Sequence, residues 1–306
     1  MIPIFLSILI PTYNYNITHL VADLHHQAME AYIDFEIIVM EDGSKMHVQE
    51  NDKVNDFEFC SHVILTENIG RSAIRNRLAD KAKYEHLLFM DCDAEVCSSN
   101  YIEKYITFCK EDCMVIGGTA YDQNENDPKY SLRLKYGRER EAKVLEQSIN
   151  NNHRVGEKLN FATFNFLISK SIFNKVRFDE NIRGYGHEDT LFGHQLHELG
   201  CEFLHIDNPL IHKGLDDNET FIRKTEEATR NLYLLYKTGR YPFLKDESKL
   251  LNAFVRIEKL KFARLFAFKF NIIKSILRKQ LCSSSPSLLL YDFYKILFLC
   301  KTSFMK

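Results

Sequence analysis

What most constrains this chain is a set of short apolar segments that do not alternate with polar residues. "IFLSILI" (4–10), "FEIIVM" (35–40), "HVILT" (62–66), "HLLFM" (86–90) and "MVIGGTA" (114–120) each have strand length. A half-exposed strand would show a two-residue rhythm; near-continuous apolar runs belong to strands covered on both faces. Between them, "ITHLVADLHHQAME" (17–30) sets Ile17, Leu20, Val21 and Leu24 at helical spacing, and a second helix is predicted from about Ser72 to Lys83. Strands interleaved with helices predict an α/β fold, a mostly parallel sheet with helices flanking both faces.

In such sheets ligands bind beyond the carboxyl ends of the strands. Three of the strands run into polar loops, "PTYNYN", "EDGSK" and "DCDAE", which the fold would line up along one rim. In the last of these, Asp91 and Asp93 stand two residues apart. Two carboxylates held together raise each other's pKa unless a cation lies between them. A hard divalent ion carrying a diphosphate is such a cation, because it takes oxygen ligands. The plainer alternative is a solvated loop with a helix N-cap. Arg71 and Arg75, four apart on one helix face, either add positive charge to the same rim or pair with surface acids.

Taken together, "LSILIPTYNYN", "FEIIVMEDGS", "NIGRSAIRNRLADKA" and "LLFMDCDAEV" resemble, in order and approximate spacing, the inverting family 2 glycosyltransferases. The resemblance covers roughly residues 4–215 and implies a GT-A fold, a Rossmann-like nucleotide-binding sheet. It implies that Pro11, Thr12 and Tyr13 lie along the base and ribose of a nucleotide, and that Asp42 binds the base, typically uracil. Glu41 stands where the family's "DDGS" has its first acid. Asn68, Gly70, Arg75 and Asn76 would shape the nucleotide site, with Ile74 where Ala is common. Asp91 would lie near the ribose. Asp93 would hold the Mn²⁺ or Mg²⁺ that bridges the diphosphate, and Cys92 would point the other way. Charge supports the ion: carboxylates and neutral backbone cannot by themselves hold a diphosphate.

A second segment is "GYGHEDTLFGHQLHELG" (184–200). Glu188 and Asp189 open a predicted helix that Gly200 closes. Alone they read as a capping pair, since acids at a helix N-terminus are favourable by ~0.3–1 kcal/mol. The longer stretch "FDENIRGYGHEDTLFGHQLHELGCEF" is similar to the family's acceptor segment with its "GxGxED" pattern. That similarity implies Asp189 as general base and Glu188 as a contact to the acceptor hydroxyl. A helix dipole lowers a carboxylate's pKa and weakens it as a base, so burial would have to offset it. The resemblance also implies a late histidine as a further metal ligand, and His212 in "NPLIHKG" is the candidate, against the alternative of a surface or core histidine. His187, His194, His197 and His205 are weaker candidates.

Of the 306 residues, 45% are hydrophobic and 27% charged, a globular composition. The net charge of -2 is uneven: residues 249–306 carry twelve Lys/Arg against two Asp/Glu. "NAFVRIEKLKFARLFAFKFNIIKSILRKQL" (252–281) mixes Phe, Leu and Ile with eight Lys/Arg. It reads as an amphipathic helix on an anionic membrane surface, as helices packed on the body, or as a dimer interface. No nucleic-acid reader motif accompanies the basic charge, so nucleic acid is not an expected partner. The eight cysteines show no CxxC pair and read as reduced thiols. The apolar N-terminus lacks a basic flank and stops at Pro11, too short to span a bilayer. The expected location is cytoplasmic, peripheral on the inner face of the membrane if the tail docks there.

These features divide the chain into a catalytic domain over 1–218, with a donor part (about 1–120) and an acceptor part (about 121–218), and a basic helical region over 219–306. Residues 121–160, polar and charge-rich, read as an excursion containing a short helix. The expected activity is transfer of a hexosyl or hexosaminyl group from a nucleotide-diphosphate donor, UDP-linked by preference. The acceptor would be a saccharide or lipid-linked saccharide hydroxyl, in surface polysaccharide synthesis. The competing readings are a metal-dependent nucleotidyltransferase, for which "PTYNYN" lacks the Gly-rich basic loop, and a non-catalytic scaffold that binds sugar nucleotide or membrane.

Overall fold

A computed structural model describes residues 5–109, 113–143, 161–182 and 184–305. Two compact units are formed, one from Met1–Asp122, Arg140–Arg183 and Glu188–Gly214, the other from Gln123–Glu139, Gly184–His187 and Leu215–Lys306.

The first unit is built on a seven-stranded sheet. In chain order its strands are β1 (Phe5–Thr12), β2 (Asp34–Glu41), β3 (Cys60–Ile64), β4 (His86–Met90), β6 (Cys113–Ile116), β8 (Asn165–Ser169) and β9 (Glu202–His205). They lie in the order β3-β2-β1-β4-β8-β6-β9. All neighbours are parallel except at β8, which runs against both β4 and β6. The sheet is mostly parallel, as the interleaved strands and helices predict, and mixed at the one strand β8.

The central strands β1, β2 and β4 carry near-continuous apolar runs because both their faces are covered. Leu6, Ile8 and Ile10 of β1 point to one side, with Leu20, Val21 and Leu24 of the helix Thr18–Glu30. Leu9 points to the other, with Ile74, Leu78 and Ala79 of the helix Arg71–Lys81, and with Phe192 and Leu196 of the helix Glu188–Glu198. Successive residues of a strand face opposite ways, so one strand feeds two cores.

A smaller sheet caps the carboxyl end of β4. It joins β5 (Ala94–Val96), β10 (Leu210–His212) and β7 (Thr119–Ala120) in the order β5-β10-β7, with His212 opposite Ala94. The segment "MVIGGTA" is thus two strands, parted at Gly117. A side chain at Gly117 would meet the Tyr105 hydroxyl, the Asn165 amide and the Asn208 carbonyl, all within 2.5 Å. Asn165 is the buried post of this corner. It accepts from Tyr101 and Tyr105 hydroxyls at 2.6 and 2.7 Å and donates to the carbonyls of Gly118 and Asn208 at 3.1 and 2.9 Å. Its side chain fixes the start of β8 to the loops carrying β7 and β10.

The second unit is helical. Its long helix Asn218–Thr238 is capped by Asp217, whose side chain accepts from Thr220 N at 2.7 Å, and ends at Gly239 in the left-handed region (φ 65°). The helices Ala263–Leu281 and Leu288–Thr302 share a core with it, made of Phe221, Ile222, Phe270, Leu277, Tyr294 and Phe298 among others. Buried Glu226 accepts from Tyr294 and from Arg278, and pairs with Lys274 at 3.7 Å. The tail segment 252–281 is two helices: Lys249–Lys259 stops, Lys261 takes a positive φ of 62°, and Ala263–Leu281 begins. The single helix that the composition suggests is broken there. Of the excursion, residues 128–141 are helical in three short pieces; residues 144–160 lie outside those described. All eight cysteines are free thiols. Among the described residues no helix is long and apolar enough to cross a membrane.

Candidate active site

The register of the sheet brings the polar strand ends together. Thr12 of β1 is level with Glu41 of β2, and Asp91 follows β4 directly. Pro11 is half-buried and Thr12 buried, whereas Tyr13 turns a half-exposed ring outward from the rim. Glu41 is spent internally. It accepts from Ser44 Oγ, from Asn51 Nδ2 at 2.7 Å and from His62 Nε2 at 3.2 Å. Burial pushes its carboxyl up, but these hydrogen bonds more than reverse that and hold it below the usual range.

Asp42 clamps two loops. Its Oδ1 accepts from Ile69 N at 2.6 Å and its Oδ2 from Gly70 N at 3.1 Å, while Asn68 donates to its carbonyl at 3.0 Å. Burial raises its carboxyl despite those two backbone donors. Gly70 has φ 91° and open space around it, so the backbone conformation, not crowding, demands glycine there. The helix Arg71–Lys81 starts at this point. It aims buried Arg75 at Asp91, with Nη2 donating to Oδ1 at 2.6 Å. Asn76 holds the chain at Phe178, donating to its carbonyl at 2.9 Å and accepting from its N–H at 3.1 Å.

Cys92 packs against the core, while Asp91 meets Arg75. Asp93 is met by His212: the small sheet places the imidazole so that Nε2 lies 3.2 Å from Asp93 Oδ2. Burial pushes the Asp93 carboxyl up. The His212 hydrogen bond and charge, with help from Arg71, bring it below its ordinary value. The rings of Phe164 and Tyr121 stand edge-on to His212, at 5.3 and 5.8 Å between centroids, and His212 Nδ1 is buried with no hydrogen-bond partner.

Asp93 and His212 suit a divalent cation. Neighbouring corners of an octahedron with ~2.1 Å bonds are about 3 Å apart, and 3.2 Å separates these two donor atoms. Carboxylate oxygen and neutral imidazole are ligands that Mn²⁺ accepts. Among the described residues no three His, Cys, Asp or Glu side chains gather into a cage, so such an ion would take its remaining ligands from phosphate and water.

Glu188 and Asp189 open the helix Glu188–Glu198. Glu188 is buried and accepts from Arg71 Nε at 2.7 Å, and Nη2 of the same guanidinium is 4.0 Å from Asp91 Oδ2. Arg71 thus ties the loop after β4 to the start of this helix. Asp189 accepts from Thr190 N at 2.7 Å. Burial, and then the charge of Glu188, raise its carboxyl to about 6 against the pull of Thr190 and Arg71. Burial and the Glu188 charge outweigh both of these.

Thr12 and Asp42 stand at the ends of β1 and β2, Asp91 and Asp93 follow β4, His212 reaches Asp93 from β10, and Glu188 is tied to Asp91 through Arg71. His205 lies buried in β9, where burial lowers its imidazole to about 4. The sequence offered Arg71 as added charge or as the partner of an acid, and did not reach Phe164, Tyr121 or Gly214. A side chain at Gly214 would sit 2.1 Å from Asp93 Oδ2. The glycine two residues after His212 was its only trace. Gly214→Ala is expected to lower turnover about 100-fold by displacing that carboxylate, with the far-ultraviolet circular dichroism of the fold retained. Wild-type turnover would show that this contact does not hold Asp93.

Residues 7–177, more than half the chain, match the profile described as Glycosyl transferase family 2. The chain belongs to that family. This family 2 glycosyltransferase is 28% identical over 286 residues to the chondroitin synthase of Pasteurella multocida (strain Pm70). The match takes in 78% of this chain and 28% of that protein, so the chain spans under a third of that relative's length. The fold is also found in a mannosyltransferase, PcManGT of Pyrobaculum calidifontis, solved with GDP-Man and Mn²⁺. The TM-score is 0.57 at 12% identity, over 97% of this chain and 85% of the other. Residues 1–349 of S. aureus TarS, solved with UDP, align with a TM-score of 0.52 at 16% identity, over 97% of this chain and 89% of that one. The sheet with its flanking helices is a GT-A fold followed by C-terminal helices.

Proposed function

We propose that the chain transfers a sugar from a UDP-linked donor, with inversion, to a saccharide hydroxyl, lipid-linked or free, in the assembly of a surface polysaccharide. The observation that carries this is one cluster in which the Asp93–His212 pair and a carboxyl raised to about 6, Asp189, are joined through Arg71 and its partners Glu188 and Asp91. The UDP bound by the TarS structure and the chondroitin named for the Pasteurella relative favour UDP as the nucleotide and a saccharide as the acceptor.

In this reading Tyr13 covers the base, and the loops clamped by Asp42 shape the nucleotide pocket. A divalent ion bound at Asp93 and His212 would neutralise charge gathering on the departing diphosphate. Asp189 takes the proton from the acceptor hydroxyl. The oxygen bonds to the anomeric carbon from the face opposite the diphosphate as the bond to phosphate oxygen breaks. One displacement inverts the centre, and no residue is needed as a nucleophile. Glu188, fixed by Arg71, steadies the hydroxyl and keeps the Asp189 pKa high. A base with a pKa near the working pH combines adequate basicity with a deprotonated population. Nucleotidyl transfer has no support at β1, where "PTYNYN" offers neither Gly nor Lys.

Asp189 must be ionised to accept a proton. Activity is therefore expected to rise with pH through an acid limb near 6, read as kcat/KM for UDP release in Mn²⁺. The donor is tested by screening UDP-, GDP- and dTDP-sugars for nucleotide release. Release from UDP-sugars supports the proposal; binding without turnover of any donor leaves a scaffold.

A further inference from the structure

The helix Ala263–Leu281 is apolar on two opposite sides. One side, with Ala263, Ala267, Phe270, Leu277 and Leu281, is buried in the core of the second unit. The other carries Leu265, Phe268, Ile272 and Ile276, exposed at 46%, 61%, 60% and 70%. At 100° per residue, positions i, i+3, i+7 and i+11 form one narrow stripe. From Leu265 to Ile276 it runs along about 16 Å of the helix. Leu260 and Phe262, at the turn before the helix, are exposed as well.

Charge decides what this stripe meets. From Lys259 to Tyr291 the sequence has seven Lys/Arg and no Asp or Glu. Lys274 and Arg278 turn inward to Glu226. Lys261, Arg264, Lys269 and Lys279 remain exposed around the stripe. A symmetric pairing of two copies through this face would set like charges against like. Nucleic acid would satisfy the cations and leave four large apolar side chains against phosphate. An anionic bilayer satisfies both, with apolar groups below the headgroups and cations among them.

We infer that the exposed face of the helix Ala263–Leu281 is a docking surface for an anionic lipid bilayer, lying in the plane of the interface. Binding is weakened by salt, because the cations act through screened attraction, and needs no membrane-crossing segment. The inference stands apart from the transferase reading, since vesicle binding and UDP release are read separately.

The test is co-sedimentation of the full chain with vesicles of phosphatidylcholine alone or mixed with phosphatidylglycerol. The wild-type chain is expected to sediment with the mixed vesicles, at least about tenfold more strongly than with neutral ones. Phe268→Ser/Ile272→Ser is expected to lose about tenfold in that binding, with UDP release unchanged. Lys269→Gln/Lys279→Gln, which leaves the apolar stripe intact, is expected to lose preference for the anionic lipid. Equal binding to both vesicle types overturns the inference. So does stripe-variant binding equal to wild type, or a wild-type dimer in sedimentation velocity that the stripe variant dissolves without vesicles.

Discussion

Asp189→Asn is expected to lower kcat about 10²- to 10⁴-fold, the contribution of a positioned general base, while UDP affinity stays at the wild-type value. The substitution is nearly isosteric and keeps the side-chain oxygen that accepts from Thr190 N, so the helix start should survive and only the proton acceptor is lost. Its companion is Glu188→Gln. After burial, the Glu188 charge is what raises Asp189. Removing it lowers the Asp189 pKa, and the acid limb of the pH profile moves to lower pH. An unmoved limb would assign it to another group. A kcat for Asp189→Asn near wild type would remove Asp189 as base.

The second large effect separates two aspartates that look alike in sequence. Asp93→Ala is expected to reduce Mn²⁺-dependent turnover about 10²- to 10³-fold, the scale of losing one electrostatic stabiliser of developing charge. Folding should tolerate it, because the partner left behind, His212, can be neutral. Asp91→Ala is different. Arg75 is buried, and Asp91 is its carboxylate at 2.6 Å. Stranding a buried guanidinium costs roughly 3 kcal/mol, so this variant should melt early as well as lose activity. Thermal denaturation of the two variants side by side reads the difference. Equal melting temperatures would show that Asp91 and Arg75 do not form a structural pair.

Much of this fold was written plainly in the chain. The runs at β1, β2 and β4 lack alternation because each strand feeds two cores, and Leu20, Val21 and Leu24 keep helical spacing because one face of their helix lies on the sheet. The antiparallel sense of β8 was not legible, since an apolar strand looks the same in either direction. Nor were β5 and β10, three residues each, which show no periodicity, nor the parting of β7 from β6. Yet the pairing of β10 with β5 is what puts His212 beside Asp93. The break at Lys261 had neither Pro nor Gly to announce it. For Asp189 the residue type and helix position were visible, but the sign of its pKa shift depends on burial, which only the folded chain supplies.

The central claim is that Asp93 and His212 hold a divalent ion against the diphosphate of a nucleotide. Calorimetric titration of UDP into the wild-type chain with and without Mn²⁺, repeated for Asp93→Ala, tests it directly. Mn²⁺ is expected to tighten UDP binding at least about tenfold, and Asp93→Ala to abolish this dependence. UDP binding that is equally tight without the metal, or a variant that keeps the full Mn²⁺ effect, would contradict it.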